Sequence, residues 1–207
     1  MSLEIIKEIY NTNCNRSNSD IAGHLPLLYE MCVAKKPKVV IQAGIRGGDS
    51  DSAFALAAIE QGFILEDVDI QEVGNDRIKT VREQTENWNF TKTRTDDSTY
   101  VDYLQQYKGK VDIFFTDTSH NYPDTKFELD NYSKLLSDTG IIMIHDMDPW
   151  THFPDQSRAV DEFLADNPEF KVKVQLGNNG MATLYRKKSH LNGVVCDNDT
   201  GIGTHTI

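Results

Sequence analysis

The sequence predicts an α/β domain built on a mostly parallel β-sheet with helices on both faces. Three observations carry this. Runs rich in β-branched and aromatic residues recur along the chain and alternate with segments of helical period. The intervening segments are long enough for right-handed crossovers, which set strands side by side and parallel. The last two strand-like runs are separated only by "NNG", a tight turn, so they run antiparallel to each other.

The elements follow in order. Residues 1–36 read as N-terminal helical cover. There "SNSDIAGHLPLLYEMC" (17–32) carries cap residues Ser19 and Asp20, then apolar positions at Ile21, Leu25, Leu28 and Met31. Pro26 interrupts this pattern, so the segment forms two helices or a kinked one. Residues 37–188 form the core. "KVVIQAG" (38–44) is a β-branched run ending in Gly, as a buried parallel strand does. A small-residue helix (50–62) closes on Gly62, and "FILEDVDIQ" (63–71) is the second strand. Residues 75–88 form a helix with Ile78, Val81 and Trp88 on one face. A weak strand (90–95), a short helix (98–107) and a strong strand, "VDIFFTD" (111–117), come next. A helix over 122–140 turns Phe127, Tyr132, Leu135 and Leu136 inward, with Gly140 at its end, and "IIMIHD" (141–146) is a strand. A helix (155–167) precedes the closing strands, 170–177 and 181–187. Residues 189–207 are polar and read as a flexible tail.

Bulk properties exclude several function classes. The chain has 207 residues, 39% hydrophobic and 26% charged, which suits one soluble domain with a sizeable core. Its net charge of -11, with no basic cluster denser than Lys35, Lys36 and Lys38, argues against a nucleic-acid backbone or an anionic membrane surface as partner. Three cysteines, Cys14, Cys32 and Cys196, with no C-x-x-C spacing, argue against a disulfide framework or structural zinc. With no apolar run of membrane-spanning length and no secretory leader, a reducing, cytoplasmic location is expected.

In such sheets ligands bind outside the carboxyl ends of the strands. Five ends carry polar or Gly residues where a core would not: "QAGIRGGDS", "DVDIQE", "RTDDS", "FTDTSHNY" and "IHDMDPW". The first offers Gly44, Gly47, Gly48 and Ser50, a tight turn feeding a helix N-terminus suited to an anionic group. It has neither the triphosphate-binding Gly-Lys-Ser/Thr nor G-x-G-x-x-G. Asp69, with Glu72 as competitor, can accept hydrogen bonds from ribose hydroxyls. Asp97 and Ser98 either cap the next helix or face a ligand. Asp117 and His120 share one short loop, and His145 and Asp146 end the next strand. Carboxylates on adjacent strand ends suit a hard cation, and a His close by suits proton transfer. His152 and Trp150 lie where an acceptor would rest; His24 and Arg158 read as structural and surface residues, and Tyr122 as the opening of a helix.

These residues resemble a family. Gln42-x-Gly44-x-x-x-Gly48-x-Ser50 looks like the first motif, E-x-G-x-x-x-G-x-S, of class I S-adenosylmethionine-dependent O-methyltransferases. The segment 111–147 is similar to D-x-x-H-x-Y…D-L…L-x-x-G-G-x-x-x-x-H/E-D of a subgroup that includes macrolide-sugar O-methyltransferases and cephalosporin-hydroxylase-like proteins. "NSDIAGHLPLLYEM" looks like the helical lead-in of these enzymes, and the likeness covers roughly residues 17–187. This chain departs from the pattern at Gln42 for Glu, Asp51 for Thr, Thr118 and Ser119 for a Gly-containing pair, His145 for Glu, and Met147 for the Asn of catechol-type relatives.

The resemblance implies a Rossmann-like, seven-stranded sheet with an antiparallel last pair. It implies S-adenosylmethionine over Gly44 to Ser50, its ribose on Asp69 and its adenine near Asp97 and Ser98. It further implies a divalent metal, magnesium or manganese, on Asp117, Asp146 and His145, with His120 as general base. The expected activity is methyl transfer to a hydroxyl of a small, sugar-containing molecule, with self-association left open. The alternatives are a non-catalytic binding module on the same fold and a dinucleotide-dependent oxidoreductase.

Overall fold

In the computed structural model, which describes residues 2–148 and 153–187, seven strands form one sheet. They are β1 (Val39–Ala43), β2 (Ile64–Asp69), β3 (Trp88–Lys92), β4 (Val111–Thr116), β5 (Leu136–His145), β6 (Phe170–Gln175) and β7 (Met181–Arg186). Their order is β3-β2-β1-β4-β5-β7-β6. The first five strands pair in parallel, and β7 runs antiparallel to both β5 and β6. The chain winds outward from β1 to β3 and then restarts on the other side with β4. That makes β1/β4 the switch point, where a ligand crevice is expected.

Period-two alternation decides which helices cover which face. Val40, Ile113, Phe115, Ile141 and Met143 join one apolar cluster with Ile6 and Ile9 of α1 (Ser2–Cys14), Leu25 and Leu28 of α2 (Leu25–Lys35), Phe54 of α3 (Asp49–Gln61), and Ile78 of α4 (Asp76–Glu83). Val39, Ile41, Phe114, Ile142 and Ile144 face the other way. They pack with Tyr100 of α5 (Ser98–Leu104), Leu129 and Tyr132 of α6 (Tyr122–Tyr132), and Phe163 of α7 (Pro154–Asp166). Pro26 falls in the first turn of α2, after a 3-10 turn at Ala22–His24, where its missing N–H costs nothing. Among the described residues no helix is long and apolar enough to cross a membrane.

Two expectations from periodicity are corrected. Trp88 does not continue the helix, since α4 ends at Glu83. Instead Trp88 opens β3, pairs with Leu65 and donates its indole N–H to Asp67, so sheet pairing overrides the helical spacing. The helix expected over 122–140 ends at Tyr132, followed by a 3-10 turn at Ser133–Leu135. Leu136 already pairs with Val111, and Gly140 lies inside β5. A register irregularity between Val111 and Ile113 absorbs the extra residues of the longer strand.

Candidate active site

Chain geometry at the switch point is set by glycine. Gly44, straight after β1, has φ +83°, and a Cβ there would lie 2.0 Å from the carbonyl oxygen of Asp117. Only a residue without a side chain lets the ends of β1 and β4 approach so closely. The turn ends at Gly48, the N-cap of α3 at φ 86°, where a Cβ would meet Ile78 Cδ1 at 2.5 Å. At the end of β2 the Asp69 carboxylate takes the N–H groups of Ile45 (2.8 Å) and Arg46 (3.0 Å) on Oδ2, and that of Gln71 (2.9 Å) on Oδ1.

A cavity of about 270 Å³ opens over these strand ends. Its walls include Gly44, Asp69, Gln71, Thr93, Arg94, Thr95, Asp117 and Thr118. A second, of about 130 Å³, is lined by Arg16, Ser19 and Asp20 of the N-terminal cover and by Gly47, Asp49 and Ser50 of the turn. Gly44, Arg46 and Asp117 line both.

Next to Asp117 the ends of β4 and β5 bring four ionisable groups together. His120 Nε2 lies 2.7 Å from Asp146 Oδ2 and 3.2 Å from Asp117 Oδ1. His145 Nδ1 is 3.3 Å from Asp146 Oδ2 and 3.5 Å from Asp117 Oδ2, while its Nε2 donates to the Asn178 carbonyl (2.9 Å). His120 and Asp146 hold left-handed backbones, φ 56° and 61°, a strain that surrounding contacts must hold in place and that clusters at functional sites. The His120 ring stacks on Phe153, centroids 4.3 Å apart.

Charge pairing dominates this cluster. Burial opposes the imidazolium of His120, but hydrogen bonds to Asp117 and Asp146 overcome it and raise its pKa to about 9. The same balance takes the fully buried His145 to about 10. Burial likewise opposes the Asp146 and Asp117 carboxylates, and the two imidazoles hold both below the usual carboxylate range. Two negative and two positive groups thus balance in the ligand-free arrangement. A protonated Nε2 cannot accept a proton, so base chemistry at His120 requires something else to take up the carboxylate charge.

Buried groups support the site from behind. Glu128 of α6, fully buried, accepts hydroxyls from Thr116 (2.6 Å), Thr95 (2.8 Å) and Thr118 (3.0 Å), tying the β3 and β4 ends together. His24 Nε2 lies 2.7 Å from the Gly177 carbonyl, and the His24 ring meets His145 edge-on at 5.7 Å, so both histidines brace the β6–β7 turn. Arg158 lies over the Tyr122 ring at 4.1 Å, and the Tyr122 hydroxyl donates to Glu162 (2.6 Å).

Of the residues singled out in sequence, Gly44, Asp69 and Asp117 line the larger cavity and Ser50 the smaller. Asp117, His120 and Asp146 offer donor atoms all within 4.8 Å of one another. His145, expected among the ligands, stands outside that trio, held back by Asn178, and His120 stands within it. Gln42, Gly48, Asp97 and Ser98 line neither cavity. Gln42 is fully buried and donates to Ser50 and Asp51, each at 3.0 Å. Asp97 caps α5 by accepting the Tyr100 N–H at 3.0 Å, and Ser98 is the first residue of that helix. Trp150 and His152 lie outside the described residues. Sequence reasoning marked the strand end "RTDDS" but singled out Asp97 and Ser98 within it; the strand stops at Lys92, and the cavity is lined by Thr93, Arg94 and Thr95 instead. Glu128 was missed because a lone acid on a helix carries no signal until its partners are known.

The converging trio suits a hard divalent cation: two carboxylates and an imidazole, with water able to complete the shell. Comparison with known proteins agrees with the architecture. A family model described as a methyltransferase domain matches residues 41–147, just over half of the chain. No curated protein sequence matches. An O-methyltransferase from Bacillus cereus in complex with SAH has a TM-score of 0.61 at 14% identity, covering 90% of this chain and 90% of that one. SAH-bound methyltransferase PaMTH1 of Podospora anserina has a TM-score of 0.57 at 17% identity, covering 89% and 88%. MycE methyltransferase from the mycinamycin biosynthetic pathway, in complex with Mg and SAH, has a TM-score of 0.61 at 15% identity. That match covers 99% of this chain and 57% of MycE. At such identities the structural likeness speaks for the fold, and the family match speaks for membership. With its 3-2-1-4-5-7-6 sheet and the family match running from β1 to the loop after β5, this chain belongs to the methyltransferase-domain family and has the class I, Rossmann-like fold.

Proposed function

We propose that this methyltransferase uses S-adenosylmethionine to methylate a hydroxyl of a small molecule, with a sugar-bearing acceptor the first class to test. One observation carries the reading. Gly44 and Asp117 line both cavities over the strand ends, and Asp117 is also a member of the Asp117/His120/Asp146 trio, so a ligand lying on the glycine-rich turn rests beside that trio. The B. cereus and Podospora structures hold SAH, and MycE holds Mg and SAH, on the same fold.

In this reading the turn at Gly44 to Ser50 and the cover residues Arg16, Ser19 and Asp20 hold the amino-acid end of the cofactor. Asp69 faces the ribose, and Thr93, Arg94 and Thr95 flank the base. Asp117 and Asp146, with His145 alongside, would hold a divalent cation, which when bound lowers the pKa of a nearby hydroxyl and neutralises the carboxylates, leaving His120 Nε2 free. His120 Nε2 then takes the proton from the acceptor hydroxyl, whose oxygen forms the new bond to the methyl carbon as the carbon–sulfur bond breaks. Phe153 keeps the imidazole plane in place by stacking. Calorimetry with S-adenosylhomocysteine tests the cofactor: micromolar binding is expected, and its absence at high micromolar concentration sinks the proposal. His120→Ala should keep cofactor binding and lose turnover on any acceptor found by screening; full activity refutes the base assignment.

A further inference from the structure

Behind the glycine-rich turn, away from both cavities, two carboxyl groups face each other in the core. Asp51, in the first turn of α3, and Asp67, in the middle of β2, are both 0% exposed. Each has one oxygen occupied: Asp51 Oδ1 accepts from Gln42 Nε2 at 3.0 Å, and Asp67 Oδ2 accepts the indole N–H of Trp88. The other oxygens, Asp51 Oδ2 and Asp67 Oδ1, have no donor among the described residues. Gln42, whose amide holds Asp51, is also the register partner of Asp67 across β1 and β2, so the two carboxyls lie beside the same residue.

Other elements bring little charge to offset them. α4 contributes Arg82, whose charge acts on both acids but whose Nη2 is engaged by Glu72 at 2.8 Å. β2 adds the Asp69 carboxylate, which makes a second ionisation harder. β1 offers only neutral Gln42, β3 only Trp88, and α1 only Asn13, bonded to Ser52 Oγ at 3.2 Å. Two adjacent buried carboxyls cannot both ionise cheaply, and two orphaned acceptors face to face are satisfied by a single hydrogen between them.

We propose that Asp51 and Asp67 are a positioning pair for the glycine-rich turn. One proton shared between Asp51 Oδ2 and Asp67 Oδ1 holds the first turn of α3 against β2 and, through Gln42, orients the Ser50 hydroxyl at the wall of the smaller cavity. The chain of contacts is direct: Gln42 Nε2 donates at 3.0 Å to both Asp51 and Ser50. A second ionisation sets two buried negative charges side by side, drives the turn from β2 and releases Ser50. The ligand consequence rests on the S-adenosylmethionine reading above; the shared proton does not.

Burial raises the Asp51 pKa to about 7 and lifts Asp67 well above the usual carboxylate range. If binding needs the shared proton, S-adenosylhomocysteine affinity falls about tenfold per pH unit above that point, on the order of 100-fold two units higher. Asp67→Asn is the decisive variant. Its amide oxygen still accepts from Trp88, and its NH₂ donates to Asp51 Oδ2 with no titrating proton, so affinity should become flat with pH. Asp51→Asn makes the same bond in the other direction and serves where the first variant does not fold. A wild-type affinity flat across the alkaline range, or the same slope in either folded variant, overturns the proposal. The ligand-free arm is infrared spectroscopy at slightly acid pH. A protonated-carboxyl carbonyl band is expected in the wild type and absent from Asp67→Asn, and a spectrum without that band refutes the pair. If the band is present but S-adenosylhomocysteine does not bind at any pH, the cofactor reading falls, and the pair is judged on melting temperature. A folded-state pKa above the unfolded value means the pair's contribution is full in acid and lost as pH rises toward about 7. The wild type should therefore lose melting temperature relative to Asp67→Asn over that window, and equal slopes refute the shared proton.

Discussion

Replacing Gly44 with alanine tests the idea that the closeness of β1 and β4 builds the site. The added methyl would lie 2.0 Å from the Asp117 carbonyl oxygen and 2.6 Å from its carbon, both backbone atoms that cannot swing away. Restoring ordinary contact means parting the strand ends by roughly 1.5 Å, which breaks the adjacent Asp117 N–H bond to the Ala43 carbonyl, now 2.9 Å. The lost hydrogen bond costs about 1 kcal/mol. Holding alanine at φ +83° costs about 1–2 kcal/mol more. The sum, about 2–3 kcal/mol, lowers Tm by roughly 4–12 °C in a chain of this length. Because Asp117 moves with the strand end, divalent-cation and S-adenosylhomocysteine binding should weaken together. Thermal melts followed by circular dichroism, with calorimetry at a temperature where the variant is folded, provide the test. A Tm within about 2 °C of wild type, with unchanged binding, would mean that the two strand ends are free to separate and that the argument from their contact is wrong.

Three further outcomes are expected. Glu128→Gln puts an NH₂ where three hydroxyls donate, so it should cost about 1–3 kcal/mol in urea denaturation and weaken cofactor binding, since Thr95 and Thr118 both line the cavity. Asp146→Asn should preserve folding, because Asn tolerates φ 61°, yet reduce manganese affinity more than tenfold by calorimetry; unchanged affinity removes Asp146 from the metal site. Trp88→Phe deletes the indole donor to buried Asp67 and should destabilise by about 1–3 kcal/mol; a neutral effect on the denaturation midpoint contradicts that hydrogen bond.

Much of the architecture could be read from local pattern. Runs such as "KVVIQAG" and "VDIFFTD" bury both faces, and that demand is visible without knowing the neighbours. Because the switch-point rule ties ligands to strand ends, Gly44, Asp69 and Asp117 could be marked before any geometry was known, and they line one cavity. Boundaries were harder. Trp88 fits a helical face as well as a strand, and only its pairing with Leu65 and its bond to Asp67 decide between them. Residues 136–140 carry no strand signal because four of the five are polar or Gly, yet Leu136 pairs with Val111.

The order of strands and helices, and the residues that stand at each strand end, are legible along the chain. Both follow from near-neighbour chemistry: side-chain period, turn residues and caps. The tertiary structure alone decided which of those ends meet. Asp117 and Asp146 are 29 positions apart, yet the parallel pairing of β4 with β5 sets them around one imidazole. His120 Nε2 reaches both of these carboxylates, while the Nε2 of His145 is taken by the Asn178 carbonyl, from a turn more than thirty residues away. Gln42, read as a cofactor contact, faces the core and joins Asp51, whose partner Asp67 lies on another strand. Each of these depends on a pairing register or a long-range hydrogen bond, and neither is encoded in any window of neighbouring residues.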